Sequence, residues 1–275
     1  ERRILAAVGI AGILVLVLGI TLALLPRSAA EIDETARSEG EKQDGTVPAD
    51  EPDTGVAETE EGGTGTAVRP KSRGRLYIII DDVGNNIHQL KPFLEFPGSI
   101  TFAVLPGLPY TDDAVKLIRK NKKGLMLHQP MEPLGGEDPG PEAIYSEMKP
   151  EDVARILEKN LEQVKGARVM NNHMGSKVTS RESTVRSILE ILDRRGIAFV
   201  DSYTTSDSAV ERIAAEMDIT TYRRDIFLDN QQNIEYYTKA VEDAKTTAEK
   251  KGHAVLIGHV WAAGLAQTLM DLYPE

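Results

Sequence analysis

Several short apolar runs in this chain end on residues that can ionise or bind a metal. Asp81-Asp82 follows Ile78-Ile79-Ile80, and His128 follows Leu125-Met126-Leu127. Asn171-Asn172-His173 closes the run ending at Met170, Asp201 follows Phe199-Val200, and His259 stands just past Leu256-Ile257. The chain has five histidines and no cysteine, so carboxylate and imidazole chemistry is available and thiolate chemistry is not. Taken singly, each residue has a structural explanation, because an aspartate after a strand commonly serves a turn. Their recurrence at successive run ends is harder to explain that way. Oxygen and nitrogen donors without sulfur suit Zn²⁺, or else Mn²⁺, Co²⁺ or Ni²⁺, in a site that keeps a position open for a reactant. Adjacent aspartates can divide the labour, one binding the ion while its neighbour takes a proton from an activated water. His88 and His253 do not fall at run ends and are read as structural.

These residues share a site only if the runs are parallel strands, since the C-terminal ends of parallel strands converge on one face. The spacing supports this. Strands are expected at Leu76–Ile80, Ile100–Leu105, Gly124–Leu127, Ala167–Met170, Ile197–Val200, about Thr220-Thr221, and His253–Ile257. Between them lie helical stretches: one from Thr111 to Lys122-Lys123, one opened by Pro150, and one from a Thr179/Glu182 capping box to Gly196. Further helices are expected over Ser208–Met217, from an Asn230 cap to Lys251, and from near Ala263. Strands alternating with helices imply right-handed crossovers and a parallel sheet. Six or seven such units suit a closed or nearly closed barrel. A doubly wound open sheet is the second choice, and no glycine-rich dinucleotide fingerprint follows the first strand.

The first 73 residues have a different character. Ile4–Leu25 is an uncharged apolar run preceded by Arg2 and Arg3. It is long enough to span a bilayer with the N-terminus inside. A transmembrane anchor is therefore expected over residues 1–26, with the rest of the chain periplasmic or extracellular. Glu31–Val68 holds 12 acidic and 2 basic residues, most of the formal net charge of −11. With no apolar periodicity, residues 27–73 read as a disordered acidic tether. The remaining domain is itself net acidic, with 24 basic against 30 acidic residues over 74–275, so no nucleic-acid partner is expected.

Together IIIDDVGNN (78–86), ITFAVLPG (100–107), LMLHQPMEP (125–133), NNHMGSKVT (171–179), FVDS (199–202) and IGHV (257–260) resemble the divergent polysaccharide deacetylase family. That family is a distant branch of the NodB-like carbohydrate esterases. The resemblance implies a distorted (β/α)7 barrel over residues 74–275. It also implies metal-dependent removal of N- or O-acetyl groups from an extracytoplasmic glycan. By position, Asp81 resembles the catalytic base, Asp82 a metal ligand, and His259 the acid that protonates the leaving group. Asp201 resembles an acid that orients a neighbour. His128 falls on the first position of a His-x-x-x-His metal pair, whose second position here is Glu132. Either Glu132 or His173 then supplies the third ligand. Asn172 and Ser176, with Asn171 beside them, and the lone tryptophan Trp261 are candidates for holding the sugar. Loss of the His pair leaves an alternative: a degenerate domain that binds a glycan or a cell-envelope partner without turnover.

Overall fold

The apolar runs do form parallel strands. The structure, a computed structural model, describes residues 74–273. The chain divides into two units, Glu1–Thr64 and Gly65–Glu275, and all described residues belong to the second. The expected membrane anchor and tether lie outside the described residues. Among the described residues, no helix is long and apolar enough to cross a membrane.

The strands are β1 (Arg75–Val83), β2 (Thr101–Val104), β3 (Gly124–Met131), β4 (Val169–Met174), β5 (Ala198–Asp201), β6 (Thr221–Arg223), β7 (Ile226–Phe227) and β8 (His253–His259). The helices are α1 (Ile87–Leu94), α2 (Thr111–Lys120), α3 (Pro150–Gln163), α4 (Ser176–Thr179), α5 (Glu182–Arg195), α6 (Val210–Glu216), α7 (Ile234–Lys251) and α8 (Leu265–Leu272). The sheet runs β6-β5-β4-β3-β2-β1-β8-β7, with every neighbouring pair parallel.

Alternation along each strand separates two cores. One face, with Ile80, Phe102, Leu127, Met170, Phe199 and Leu256, packs against the helices. The other face supplies a smaller inner cluster of Ile79, Ala103, Met126, Val200, Val255 and Ile257. Val200 on β5 and Val255 on β8 share that cluster although four strands separate theirs, so the sheet is curled around it. The curl does not close by strand pairing. β6 and β7 form the two edges, and only Arg224 and Asp225 connect them. Their amides bridge the seam, Arg224 to the Asp201 carbonyl and Asp225 to the Val255 carbonyl, both at 2.9 Å. The expected seven-unit barrel is therefore an eight-stranded curled half-barrel with an open seam.

Local expectations need three corrections. Helix α1 was not anticipated. Asn86 caps it by accepting from the His88 amide, and Leu90 and Phe93 bury its inner face. The Thr179/Glu182 capping box does not form, because the Thr179 hydroxyl donates to the Gly175 carbonyl at 3.0 Å. The N-cap of α7 is Asn233, which accepts from the Tyr236 amide at 2.8 Å, and not Asn230.

Candidate metal centre

The geometry begins with a bulge. β1 pairs with β2 as Ile80↔Phe102 and then Val83↔Val104, so β1 carries an extra residue there. Successive strand residues normally face opposite sides. The bulge lets both aspartates reach the same mouth, and Asp82 turns into the left-handed region at φ 63°. Aspartate tolerates that region better than most residues.

Three ligand atoms converge at this mouth. Asp82 Oδ1 lies 3.3 Å from His128 Nε2 and 3.0 Å from His173 Nδ1. The two ring nitrogens are 3.2 Å apart. These separations approach the ~3.3–3.4 Å edge of a tetrahedron built on metal–ligand bonds of about 2.0–2.1 Å. Asp82 Oδ1 is buried, and despite the nearby rings it makes no hydrogen bond of acceptable geometry. The surroundings fix which atoms face inward. His128 Nδ1 meets Asn171 Oδ1 at 2.8 Å, while Asn171 Nδ2 donates to both Asp81 oxygens at 2.9 and 3.1 Å. The amide oxygen must then accept from His128 Nδ1–H, leaving Nε2 with its lone pair toward Asp82. A carboxylate oxygen and an imidazole lone pair meeting a second imidazole are short of positive charge, and a divalent cation would supply it.

The electrostatics register the same excess of negative charge around the two imidazoles. Burial disfavours a charged Asp82, but contacts with His128 and His173 outweigh it and hold the carboxyl far below its ordinary range. Burial likewise opposes a charged His128, yet Asp81 and Asp82 push its pKa up. Asp81, 2% exposed, goes the other way. Its burial raises its pKa, opposed by His128, His259 and the Asn171 amide, and reinforced by the like charge of Asp82. Of two neighbouring acids, one stays ionised and the other is made more basic.

β8 brings His259 to the same end, in register with Asp81. Its Nδ1 is 3.0 and 3.1 Å from the two oxygens of Asp229, and Asp229 Oδ2 also accepts the His259 amide at 2.7 Å. Burial lowers the pKa of His259, but Asp229 overcomes this, helped by Asp81 and Asp82, and the net shift is upward. Trp261, 41% exposed, stacks on the imidazole and donates its indole N–H to Asp82 Oδ2 at 2.8 Å. A cleft of about 400 Å³ opens here, lined by Asp82, Asn85, Gln89, Asp138, His173 and Trp261 among others.

The structure thus gathers Asp81, Asp82, His128, His173, His259 and Trp261. Four other candidates are held elsewhere. Glu132 faces Lys177, whose Nζ donates at 2.8 Å, and accepts from the Ser146 amide and hydroxyl at 2.9 and 2.7 Å. Its carboxylate is already satisfied and lies outside the cluster of Asp82, His128 and His173. Asp201 accepts from the Tyr203 amide and the Ser208 hydroxyl at 2.8 and 2.6 Å, which makes it the organiser of the loop after β5 and not of a reacting group. Asn172 is buried between the Met174 carbonyl and the Ser202 amide. Ser176 is occupied by the Leu134 amide. The Asn172 side chain is thus spent on the backbone at both ends, and the Ser176 hydroxyl oxygen on the loop after β3.

Two functional residues escaped the sequence reading. Asp229 stood in what looked like a loop, although it follows the short apolar Ile226–Leu228, another run ending on an acid. Asn171 was read as a contact to the sugar or as a turn residue, and only the fold reveals that it joins Asp81 to His128.

Comparisons with known proteins agree on this architecture. Residues 78–275 match the family described as divergent polysaccharide deacetylase. YibQ, an uncharacterized protein of Escherichia coli K12, is 30% identical over 209 residues, covering 75% of this chain and 66% of YibQ. An uncharacterized protein of Haemophilus influenzae is 29% identical over 191 residues, covering 68% of this chain and 67% of its own length. The chain thus spans about two thirds of these relatives. The crystal structure of an uncharacterized Agrobacterium tumefaciens C58 protein, ATU2773, superposes with a TM-score of 0.65 at 16% identity, covering 73% of this chain and 85% of that one; this likeness concerns the fold alone.

Proposed function

This chain belongs to the divergent polysaccharide deacetylase family, and on that premise we propose that it hydrolyses N- or O-acetyl groups on a glycan, with a divalent ion, Zn²⁺ first, held by Asp82, His128 and His173. The observation that carries the reading is the convergence of those three ligand atoms within 3.0–3.3 Å beside a separate, buried acid. When bound, the ion would activate water and polarise the acetyl carbonyl.

The protein's own groups supply the proton transfers. Asp81 accepts the proton of the attacking water. Its burial raises its basicity, and the Asn171 amide holds its orientation. Asp229 fixes the His259 tautomer with the proton of Nδ1 directed at the carboxylate, so Nε2 is the end that delivers a proton to the leaving nitrogen or oxygen. Asp229 also favours the imidazolium this role needs. Trp261 presents an exposed aromatic ring to the cleft, suited to the apolar face of a sugar. The hydrophobic run Ile4–Leu25 after Arg2 and Arg3 supports placing this domain outside the cytoplasm. External protease acting on spheroplasts, or on intact cells if the domain is extracellular, should then cut near Glu31–Val68.

The test is acetate release from N- and O-acetylated oligosaccharides by the full chain with and without added Zn²⁺. Asp81→Asn is expected to keep the metal and lose roughly 10²–10⁴-fold in turnover. A wild-type chain that neither binds a transition metal nor releases acetate would overturn the reading.

A further inference from the structure

Trp261 ends a column of planar groups that begins at the barrel seam. The Arg224 guanidinium, held by the Ser202 and Tyr203 carbonyls at 2.8 and 3.0 Å, lies 3.7 Å over the Phe227 ring. Phe227 stacks on His259 at 5.8 Å between centroids and 24° between planes. His259 stacks in turn on Trp261 at 4.8 Å and 18°. The column terminates at a metal-site candidate, because the Trp261 N–H donates to Asp82 Oδ2 at 2.8 Å.

We infer that Trp261 is a positioning residue that ties the orientation of the ligand Asp82 to that of the proton donor His259. This inference rests on the metal-hydrolase reading above. An indole nitrogen can only donate, so it engages Oδ2 as an acceptor and leaves Oδ1 alone to face His128 and His173. Asp82 thereby becomes a one-oxygen ligand with a fixed rotation, on a backbone already turned to φ 63° by the bulge. The same ring stacks on His259, as Phe227 also does. With Asp229 holding Nδ1, the imidazole plane is set by two stacked rings and at one edge. Arg224 and Phe227 flank the seam, so the column also links the last edge strand to the mouth. A tryptophan that only lined the cleft would need neither the hydrogen bond nor the near-parallel stack.

Trp261 is the only tryptophan in the chain, which makes an isosteric replacement possible. Biosynthetic incorporation of β-(3-benzothienyl)alanine in place of tryptophan exchanges the indole N–H for sulfur and keeps ring size and stacking. The full chain carrying this residue should bind Zn²⁺ about 10–100-fold more weakly in a chelator competition, the usual cost of removing a group that orients a ligand. Its metal-free melting temperature and the ¹⁵N signature of the His259 tautomer should stay as in the native chain. Trp261→Ala should weaken Zn²⁺ binding as well and, in addition, perturb the His259 signature through loss of the stacked wall. Unchanged Zn²⁺ affinity in the isosteric protein would overturn the positioning role while leaving the metal site intact. Absence of Zn²⁺ binding by the native chain would instead remove the reading on which the inference depends.

Discussion

The two ends of the half-barrel are lined by the same strands and have opposite characters. At the C-terminal mouth, inward positions are Asp81, His128 and Asn171, joined by hydrogen bonds and an ion pair, with His259 in register beside Asp81 and bonded to Asp229. Two to four residues earlier on those strands, the inward positions are Ile79, Met126, Val255 and Ile257. At the N-terminal end, Tyr77, Thr101, Val169, Ala198, Tyr222 and His253 surround a largely apolar cavity of about 330 Å³. The small side chains of Thr101 and Ala198 leave that end underfilled, while Tyr77 and Tyr222 stand half exposed at its rim. The difference teaches that depth along a strand decides what an inward side chain can be. A buried carboxylate is tolerated only where partners converge on it, and the middle layer keeps that polar network apart from the lower cavity.

The comparison can be broken first in the layer between the two ends. Ile257→Ala removes a fully buried side chain of the inner cluster and should cost about 2–5 kcal/mol in urea denaturation. Next comes the mouth itself. Asp82→Ala should abolish the rise in melting temperature caused by Zn²⁺, a stabilisation of about 2.7 kcal/mol at a free metal concentration of 100 times Kd. Asn171→Ala should cost about 1–3 kcal/mol, because it strips Asp81 and His128 of a buried partner. If it cost nothing, the mouth would not be a connected network.

A pH experiment sharpens the comparison further. His259 has its pKa raised against burial mainly by Asp229. Its contribution to stability is therefore complete below about 6.5, the ordinary histidine value, and fades as pH rises through the elevated folded-state value. A general acid also loses activity as it deprotonates. Asp229→Asn should thus move the alkaline limb of the pH–rate profile to lower pH and flatten the stability loss across the same window. An unmoved limb would mean that another group donates the proton. The smallest effect belongs to Glu132, outside the mouth. Lys177 and Ser146 hold its carboxyl down at about 2 from an ordinary 4.5, against a small opposing burial effect. Its stabilisation is present above 4.5 and is lost as pH falls from 4.5 towards about 2. For a partly exposed pair it should amount to less than about 1 kcal/mol. Glu132→Gln should therefore lower the melting temperature slightly at neutral pH, leave Zn²⁺ affinity unchanged, and converge with wild type in acid.

Much of this was legible from residue types alone. The β-branched and leucine-rich runs, broken by caps and glycines, announced parallel strands. The ionisable residues ending those runs announced the mouth, since strand ends share a face in any parallel architecture. Helix α1 was hidden because its apolar face is only two turns long and contains Pro92. The two-residue strand β7 was too short to show alternation, and with it Asp229 was lost from view.

The sequence by itself determined the donor inventory, oxygen and nitrogen without sulfur, and the depth at which each donor would stand. Period-two alternation is a local property of the backbone, so it can be read residue by residue. Which donors meet was decided only by tertiary structure. Glu132 and His173 were equal candidates along the chain. Lys177 and Ser146, brought in from elsewhere, claim Glu132, while the pairing of β3 with β4 sets His173 beside His128. Asp201 was the acid expected from the sequence to orient a neighbour, and only the sheet order, which puts β7 against β8 and carries β5 away from it, gives His259 to Asp229 instead. Contacts between residues distant in sequence depend on the register of strands and the curl of the sheet, and no local pattern encodes either.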